Sequence, residues 1–211
     1  MTSADPIREA ADAARRGELI VLPTDTVYGI GTRPDDPTAT ARVFDAKQRS
    51  RDLELPVLVA GIAEAERVAT LDDRAARLAA FCWPGAVTLV LPRADRAVAW
   101  DLGGDATTVG VRVPAHPLAL AVLGICGPLA MTSANRSGRK PARTCDELRS
   151  VFGDLVAIYL CRDEAVDGSA STVVDLAHGR ARILRIGAVM PEVIAGFLPG
   201  EEPLLDSRPS P

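Results

Sequence analysis

Aromatic side chains make up only 4% of this 211-residue chain. Its interior therefore has to be packed from Ala, Val, Leu and Ile rather than from large rings. Lysine is also scarce: of 24 basic residues, only Lys47 and Lys140 are lysines. The two histidines, His116 and His178, stand apart, and the four cysteines, Cys82, Cys126, Cys145 and Cys161, show no C-x-x-C spacing. That excludes a zinc framework of the usual spacing, and reduced thiols in a cytoplasmic protein are expected. Long hydrophobic runs are missing too. The longest uncharged apolar stretch, Pro117 to Met131, falls short of the ~20 residues that a membrane helix needs and is broken by Gly124, Gly127 and Pro128. The opening MTSADPIREA lacks the charged start and apolar stretch of a signal peptide. There is no basic excess: the formal net charge of -4 counts against a protein whose main task is gripping RNA, while leaving room for a local basic groove. With no Walker loop, no G-x-G-x-x-G and no G-x-S-x-G elbow, the common nucleotide cradles and serine hydrolases are excluded.

What remains is 47% hydrophobic and 25% charged, the balance of a globular protein. The length suits one domain. Asp5-Pro6 and Asp36-Pro37 each start a helix with a cap and a first-turn proline. Helices are expected also around 63–69 and 72–82, over HPLALAVLGIC, after the Thr144/Glu147 capping box up to Gly153, and over PEVIAGFL. Apolar runs at ELIVLPT, PVLVAG, WPGAVTLVLPR, TTVGVRVP, GPLAMTS, VAIYLC, STVVDL and ARILRIG read as strands. The alternation argues one α/β domain around a twisted sheet, too irregularly spaced for simple double winding, with late strands close enough to pair as hairpins. The domain is expected over 1–198. The proline-rich 199–211 reads as a disordered tail.

Four polar clusters sit at strand ends, where α/β proteins build sites. PTDTVYGIG (23–31) brings Thr24, Asp25 and Thr26 to a glycine pair. AKQRSRDLELPVLV (46–59) carries Lys47 and Arg49 off a helix end, either as cations suited to the helix dipole or as a phosphate clamp. TTVGVRVPAHP (107–117) sets Arg112 between two valines. A guanidinium there needs a structural partner or holds a carboxylate with its fork. MTSANRSG (131–138) offers Thr132, Ser133, Asn135 and exposed backbone N–H groups to an anion.

Together these segments resemble the YrdC-type threonylcarbamoyl-AMP synthases. The resemblance runs from about Asp12 to Ala188 and rests on PTDTVYGIG, Lys47-x-Arg49, WPGAVTLVL, VGVRVPAHPLA, TSANRSG, STVVDL and LRIGAV in order. It implies an open, twisted mixed sheet with flanking helices and a concave, positively charged cavity. It implies that Thr26, Arg112, Thr132 and Ser171 surround L-threonine, and that Arg49, Thr108, Ala134, Asn135, Ala142 and Arg185 surround ATP. Lys47, Arg49 and Ser133 would carry the chemistry, with magnesium arriving on the ATP phosphates. The implied reaction makes threonylcarbamoyl-AMP and pyrophosphate from L-threonine, bicarbonate and ATP. A separate transferase machinery then loads tRNAs that read ANN codons. Larger members carry an additional C-terminal domain, which a chain of this length is not expected to hold.

The chain departs from the family where Ser50 replaces a proline, where the following loop is about two residues longer, where Leu55 precedes Pro56 in place of asparagine, and where Ala60 or a neighbour falls in place of histidine. Three other readings compete. One is a non-catalytic RNA-binding module on the same concave face, recognisable by steep salt dependence. Another is a carbamoyl-phosphate enzyme of the hydrogenase-maturation kind, normally much longer and with zinc-finger-like cysteines. The third is a scaffold with a vestigial site.

Overall fold

In the computed structural model, which describes residues 5–161, 166, 168–200 and 203–205, the local signals act largely where they stand. Helix α1 (Pro6–Arg15) starts with Asp5 accepting the Ile7 N–H at 3.1 Å. In α2 (Pro37–Lys47) the Asp36 carboxylate takes the Thr38 and Ala39 N–H groups. These are donors that a helix start otherwise leaves unpaired. Helix α2 ends on Gln48 in the left-handed region, φ 52. That sharp stop leaves Lys47 on the last helical turn and sends Arg49 into the following loop. Helices α3 (Ile62–Val68), α4 (Asp73–Cys82), α5 (Pro117–Cys126), α6 (Cys145–Phe152) and α7 (Pro191–Ala195) complete the helical set. Thr144 caps α6 by accepting the Glu147 N–H, while the Glu147 carboxylate reaches back to the Arg143 N–H.

Ten strands among the described residues form one sheet: β1 (Leu19–Leu22), β2 (Gly29–Thr32), β3 (Val57–Leu58), β4 (Val87–Pro92), β5 (Thr108–Arg112), β6 (Leu129–Ser133), β7 (Val156–Tyr159), β8 (Thr172–Asp175), β9 (Arg182–Arg185) and β10 (Leu204–Leu205). Their order is β10-β9-β8-β4-β5-β3-β6-β2-β1-β7. Parallel pairs (β1/β7, β3/β5, β4/β8, β9/β10) mix with antiparallel ones, so the expected mixed α/β sheet is present. Among the late strands, β8 and β9 do form the expected antiparallel pair. By contrast, β7 crosses to the far edge beside β1.

Because side chains alternate across a strand, the sheet has two faces of different character. On one face Val21, Ile30, Val57, Leu89, Leu91, Val109, Val111 and Val174 merge with α2, α3 and α4 into a continuous core. On the other face, among the described residues, one end is covered: Ile20, Leu22, Leu58, Leu129 and Met131 pack under the alanines of α1 and Val122 and Leu123 of α5. Next to that covered end, the even-numbered positions of β4 and β5 and the matching positions of β8 face an open cleft.

Three expectations are corrected. No strand is expected from the sequence between ELIVLPT and PVLVAG, yet PTDTVYGIG ends in strand β2, wedged between β1 and β6. Its glycines are what admit it: a Cβ on Gly31 would sit 2.3 Å from the Ala130 carbonyl oxygen. The tail was read as disordered, yet Leu204–Leu205 adds a strand to β9; positions 201–202 and 206–211 lie outside the described residues. The thiols were read as reduced, yet Cys145 and Cys161 are disulfide-bonded, because the return from α6 through β7 brings their Cα atoms to 5.6 Å. Cys82 and Cys126 are free.

The β2/β6 contact gives a stability test. Gly31→Ala should cost roughly 1–3 kcal/mol, since backbone rather than a side-chain tip blocks the methyl. Gly124→Ala, inside α5 with nothing within 4 Å of the added atom, should by contrast leave the urea midpoint unchanged or raise it, since Ala is the better helix former.

Candidate active site

The open half-face is the floor of a cleft of about 500 Å³. Strand register orders this floor. Thr88 lies level with Val173, and Val90 pairs with Gly110. Leu58 pairs with Arg112, which places Pro56 level with Gly110. One row across the sheet therefore holds Arg112, Thr88 and Leu58, and the next holds Gly110, Val90 and Pro56. The walls come from the 24–29 turn, the 47–54 loop, the 131–141 segment, and Ala170, Ser171, Leu184 and Arg185.

At the Arg112 end the polar groups are already locked together. Arg112 is 5% exposed. It donates Nε–H to the Gly85 carbonyl at 2.8 Å, Nη1–H to Thr26 Oγ1 at 2.9 Å, and Nη2–H to Asp25 Oδ1 at 2.6 Å. Asp25 also accepts the Ala115 N–H. Thr24 ties this turn down: its Oγ1 lies 2.9 Å from Thr26 Oγ1 and accepts the Thr26 and Val27 N–H groups. Burial lowers the Arg112 pKa, with Asp25 acting in the opposite direction. Three of five N–H groups are engaged, leaving two for a ligand. The partner for Arg112 and the ligand fork are thus compatible rather than alternative readings.

Further along the wall, Arg185 donates Nε–H to the Ser171 carbonyl and Nη2–H to Ser171 Oγ, both at 2.9 Å. Ser171 Oγ also lies 2.9 Å from Thr88 Oγ1. Arg49 donates to the Leu53 and Glu54 carbonyls. Lys47, 1% exposed, donates Nζ–H to the carbonyls of Ser133 and Asn135 and to Asn135 Oδ1. Ser133 Oγ–H donates to Asn135 Oδ1 at 2.6 Å, and the Asn135 amide donates to the Arg136 and Arg139 carbonyls. The buried lysine thus folds the 133–139 loop around itself. Burial, and after it the charge of Arg49, pushes Lys47 down to about 7. Its three oxygen acceptors pull the other way, since only an ammonium has three protons to give. Arg49 and Arg185 are also lowered, first by burial, then Arg49 by Arg185 and Arg185 by Arg112. The four cations feel one another in a chain.

Of the residues singled out from sequence, Thr26, Lys47, Arg49, Arg112, Thr132, Ser133, Asn135, Ser171 and Arg185 line this one cleft. Three do not reach its surface. Thr108 has the cleft-facing parity of β5 but is buried at the strand's start, where its carbonyl accepts Arg93 Nε–H. Ala134 is fully buried, its N–H bonded to the Tyr28 carbonyl. Ala142 is 8% exposed and donates its N–H to Ala134. Sequence reasoning placed Thr24 and Asp25 in a candidate polar cluster without giving either a ligand, and did not single out Thr88 or Glu54. Thr88 was findable, because a lone hydroxyl alternating with Val87 and Leu89 marks the outward face of a strand. Nothing local links Asp25 to Arg112, 87 positions away. Among the described residues no group of three or more His, Cys, Asp or Glu side chains is placed to hold a metal. No helix among them is long and apolar enough to cross a membrane.

A family model described as Sua5/yciO/yrdC, telomere recombination, matches residues 12–187. A relative from Mycobacterium tuberculosis is 42% identical over 193 residues, covering 91% of this chain and 88% of its own. The protein named threonylcarbamoyl-AMP synthase of Chromohalobacter salexigens is 38% identical over 184 residues, covering 84% of this chain and 96% of its own. The crystal structure of Pyrococcus abyssi Sua5 complexed with L-threonine superposes with a TM-score of 0.85 at 31% identity. That match takes in 97% of this chain but 60% of the other.

The Arg112 lock should be costly to open. Asp25→Ala strands a buried guanidinium and should lower unfolding free energy by about 3 kcal/mol. Urea unfolding checks this; a loss under about 1 kcal/mol would mean that Arg112 swings into the cleft and recovers its hydration.

Proposed function

The chain belongs to the Sua5/YciO/YrdC family, and from that premise we propose that it is a nucleotidyltransferase, an L-threonylcarbamoyladenylate synthase. It would combine L-threonine, bicarbonate and ATP into threonylcarbamoyl-AMP and pyrophosphate. The adenylate is for a separate machinery that modifies the adenosine of tRNAs reading ANN codons. The observation that carries this reading is the convergence of Lys47, Arg49, Arg112 and Arg185, from four distant segments, on one cleft also lined by Thr26, Thr132 and Ser171. The names of the relatives and the threonine in the Pyrococcus structure support it. We place the work in the cytoplasm, where these substrates meet.

In this reading the threonine nitrogen attacks carbon dioxide derived from bicarbonate, loses a proton and becomes a carbamate. A carbamate oxygen then attacks the α-phosphorus, and the bond to the β-phosphate oxygen breaks. A carbamate decomposes readily, so the site's task is to hold partners in line and exclude water. The two unengaged Arg112 N–H groups take the threonine carboxylate, a fork suited to it. The hydroxyls of Thr26 and Thr132 read threonine's amine or hydroxyl, and a site built to bond that hydroxyl rejects valine strongly. Arg49 and Arg185 face the phosphates. Lys47 contributes positive potential and fixes the loop whose Ser133 borders the reacting atoms. The cleft wall carries more cations than carboxylates, so the protein's own donors do not make a magnesium site. The ion would enter on the triphosphate, and no step is assigned to it.

Mass spectrometry after mixing protein, threonine, bicarbonate, magnesium and ATP should find threonylcarbamoyl-AMP. Arg49→Ala should abolish it with an unchanged circular dichroism spectrum. Arg112→Lys should raise the threonine KM by roughly tenfold or more, given the lost bidentate fork. Wild-type turnover in Arg49→Ala, or an unchanged KM in Arg112→Lys, would remove those residues from the roles given.

Lys47 gives a second test with a defined sign. In the free protein its ammonium is held only up to about 7, and a neighbouring polyanion raises that value. At pH 8, ATP binding should therefore take up protons. Calorimetry in two buffers of different ionisation enthalpy would measure the uptake. It should fall in Lys47→Gln, and an unaltered uptake there would mean that the lysine does not sense the phosphates.

A further inference from the structure

Between Arg112 and Arg185 stand two hydroxyls that the reaction leaves idle. Thr88 faces the cleft from β4. Since Leu89 pairs with Val111, Thr88 lies opposite Arg112, one strand spacing of roughly 5 Å away. On its other side β8 runs parallel, with Val173 level with Thr88. Ser171, two residues ahead on the same face, holds its Oγ 2.9 Å from Thr88 Oγ1. Arg185 then donates Nη2–H to Ser171 Oγ. The order across the sheet is therefore Arg112, Thr88, Ser171, Arg185. Leu58, on the other side of Arg112, brings no donor. A hydroxyl has one proton to give and two lone pairs to accept with. Ser171 Oγ accepts from Arg185, and one hydroxyl proton fills the Thr88–Ser171 bond whichever way that bond runs. The second proton has no acceptor among the described residues. Thr88 and Ser171 are only 4% and 6% exposed, and a donor buried without an acceptor is costly. The side left open to it is the cleft.

We infer that this proton is given to the carbamate, so that Thr88 and Ser171 form the site of the carbon derived from bicarbonate. The inference rests on the synthase reading. In threonylcarbamoyl-AMP the carbamate is joined through nitrogen to the carbon that bears the carboxylate, and through oxygen to the α-phosphorus. With the carboxylate on the Arg112 fork and the phosphates beside Arg185, the group between them lies against the two residues between those arginines. Threonine and bicarbonate give the carbamate with loss of one water. The N–C bond forms, the bond from the bicarbonate carbon to its hydroxyl breaks, and an amine proton joins that hydroxide. One carbamate oxygen then attacks phosphorus, while the other shares the negative charge until that moment and becomes the product's carbonyl. It is an acceptor in both forms, so one fixed donor serves it throughout. Holding the anion in this way also opposes its return to amine and carbon dioxide, the loss that the site must prevent.

The test uses Thr88→Val, which removes the hydroxyl and keeps the branched shape, and Thr88→Ser, which keeps the hydroxyl, with thermal unfolding recorded for each. Incorporation of labelled bicarbonate into threonylcarbamoyl-AMP is followed as bicarbonate is varied, and threonine binding without ATP or bicarbonate is measured by calorimetry. Thr88→Val should lower kcat/KM for bicarbonate by about tenfold or more, the scale of one hydrogen bond to a charged group, with the threonine Kd hardly moved. Thr88→Ser should recover most of that loss, and it decides the matter if the valine variant is unstable. An unchanged kcat/KM for bicarbonate in Thr88→Val would overturn the assignment. So would an equal loss of threonine binding, which would make Thr88 a contact of the amino acid itself, or a Thr88→Ser variant as impaired as Thr88→Val, which would make it a packing residue. Wild-type protein that incorporates no bicarbonate defeats the synthase reading and this site with it. Incorporation by the wild type that Thr88→Val leaves untouched defeats the site alone.

Discussion

Four cationic groups lie within each other's repulsion in a partly buried cleft, and three of them are held there without a carboxylate. A carboxylate beside each would satisfy them but cancel the field. Among the described residues only Arg112 has such a partner, Asp25. Lys47, Arg49 and Arg185 are held by neutral oxygens instead: the carbonyls of Ser133, Asn135, Leu53, Glu54 and Ser171, with side-chain oxygens of Asn135 and Ser171. Carbonyl dipoles orient a cation without neutralising it, which leaves the charge available to an incoming anion. An acidic protein overall thus keeps a cationic interior wall.

The fold serves this arrangement through parity and register. Odd positions of β4 and β5 are uninterrupted valine and leucine, fused into the core behind the sheet. Even positions of the same strands carry Thr88, Val90, Gly110 and Arg112. Gly110 keeps the middle of the floor low: a Cβ there would meet Pro56 and Thr88 at 3.4 Å and rise into the cleft. The left-handed Gln48 separates the two cations of the K-x-R segment. Lys47 turns inward to organise a loop, and Arg49 turns along the wall.

Much of the element order was legible because caps, prolines and apolar runs act locally: Asp5, Asp36 and Thr144 start helices where their side chains say they should. The same locality explains the failures. Strand β2 was hidden because its glycines look like turn residues until Met131 and Ala130 of another segment press against them. The Cys145–Cys161 bond and the Asp25–Arg112 pair depend on how the chain returns on itself, which no window of sequence contains. Most of the site was legible through the combination of motifs. Thr108, Ala134 and Ala142 are buried and do not line the cleft.

A sheet face that is roofed at one end and open at the other leaves part of the second layer to be supplied from outside. Whatever occupies the cleft becomes a structural layer as well as a guest. Its free energy of binding is then added to that of folding by mass action, about 2.7 kcal/mol at a hundredfold excess over the Kd. The marginal stability of a domain this size would therefore vary with the cell's supply of small molecules, and a weakened variant that collapses in dilute buffer would persist wherever those molecules are abundant.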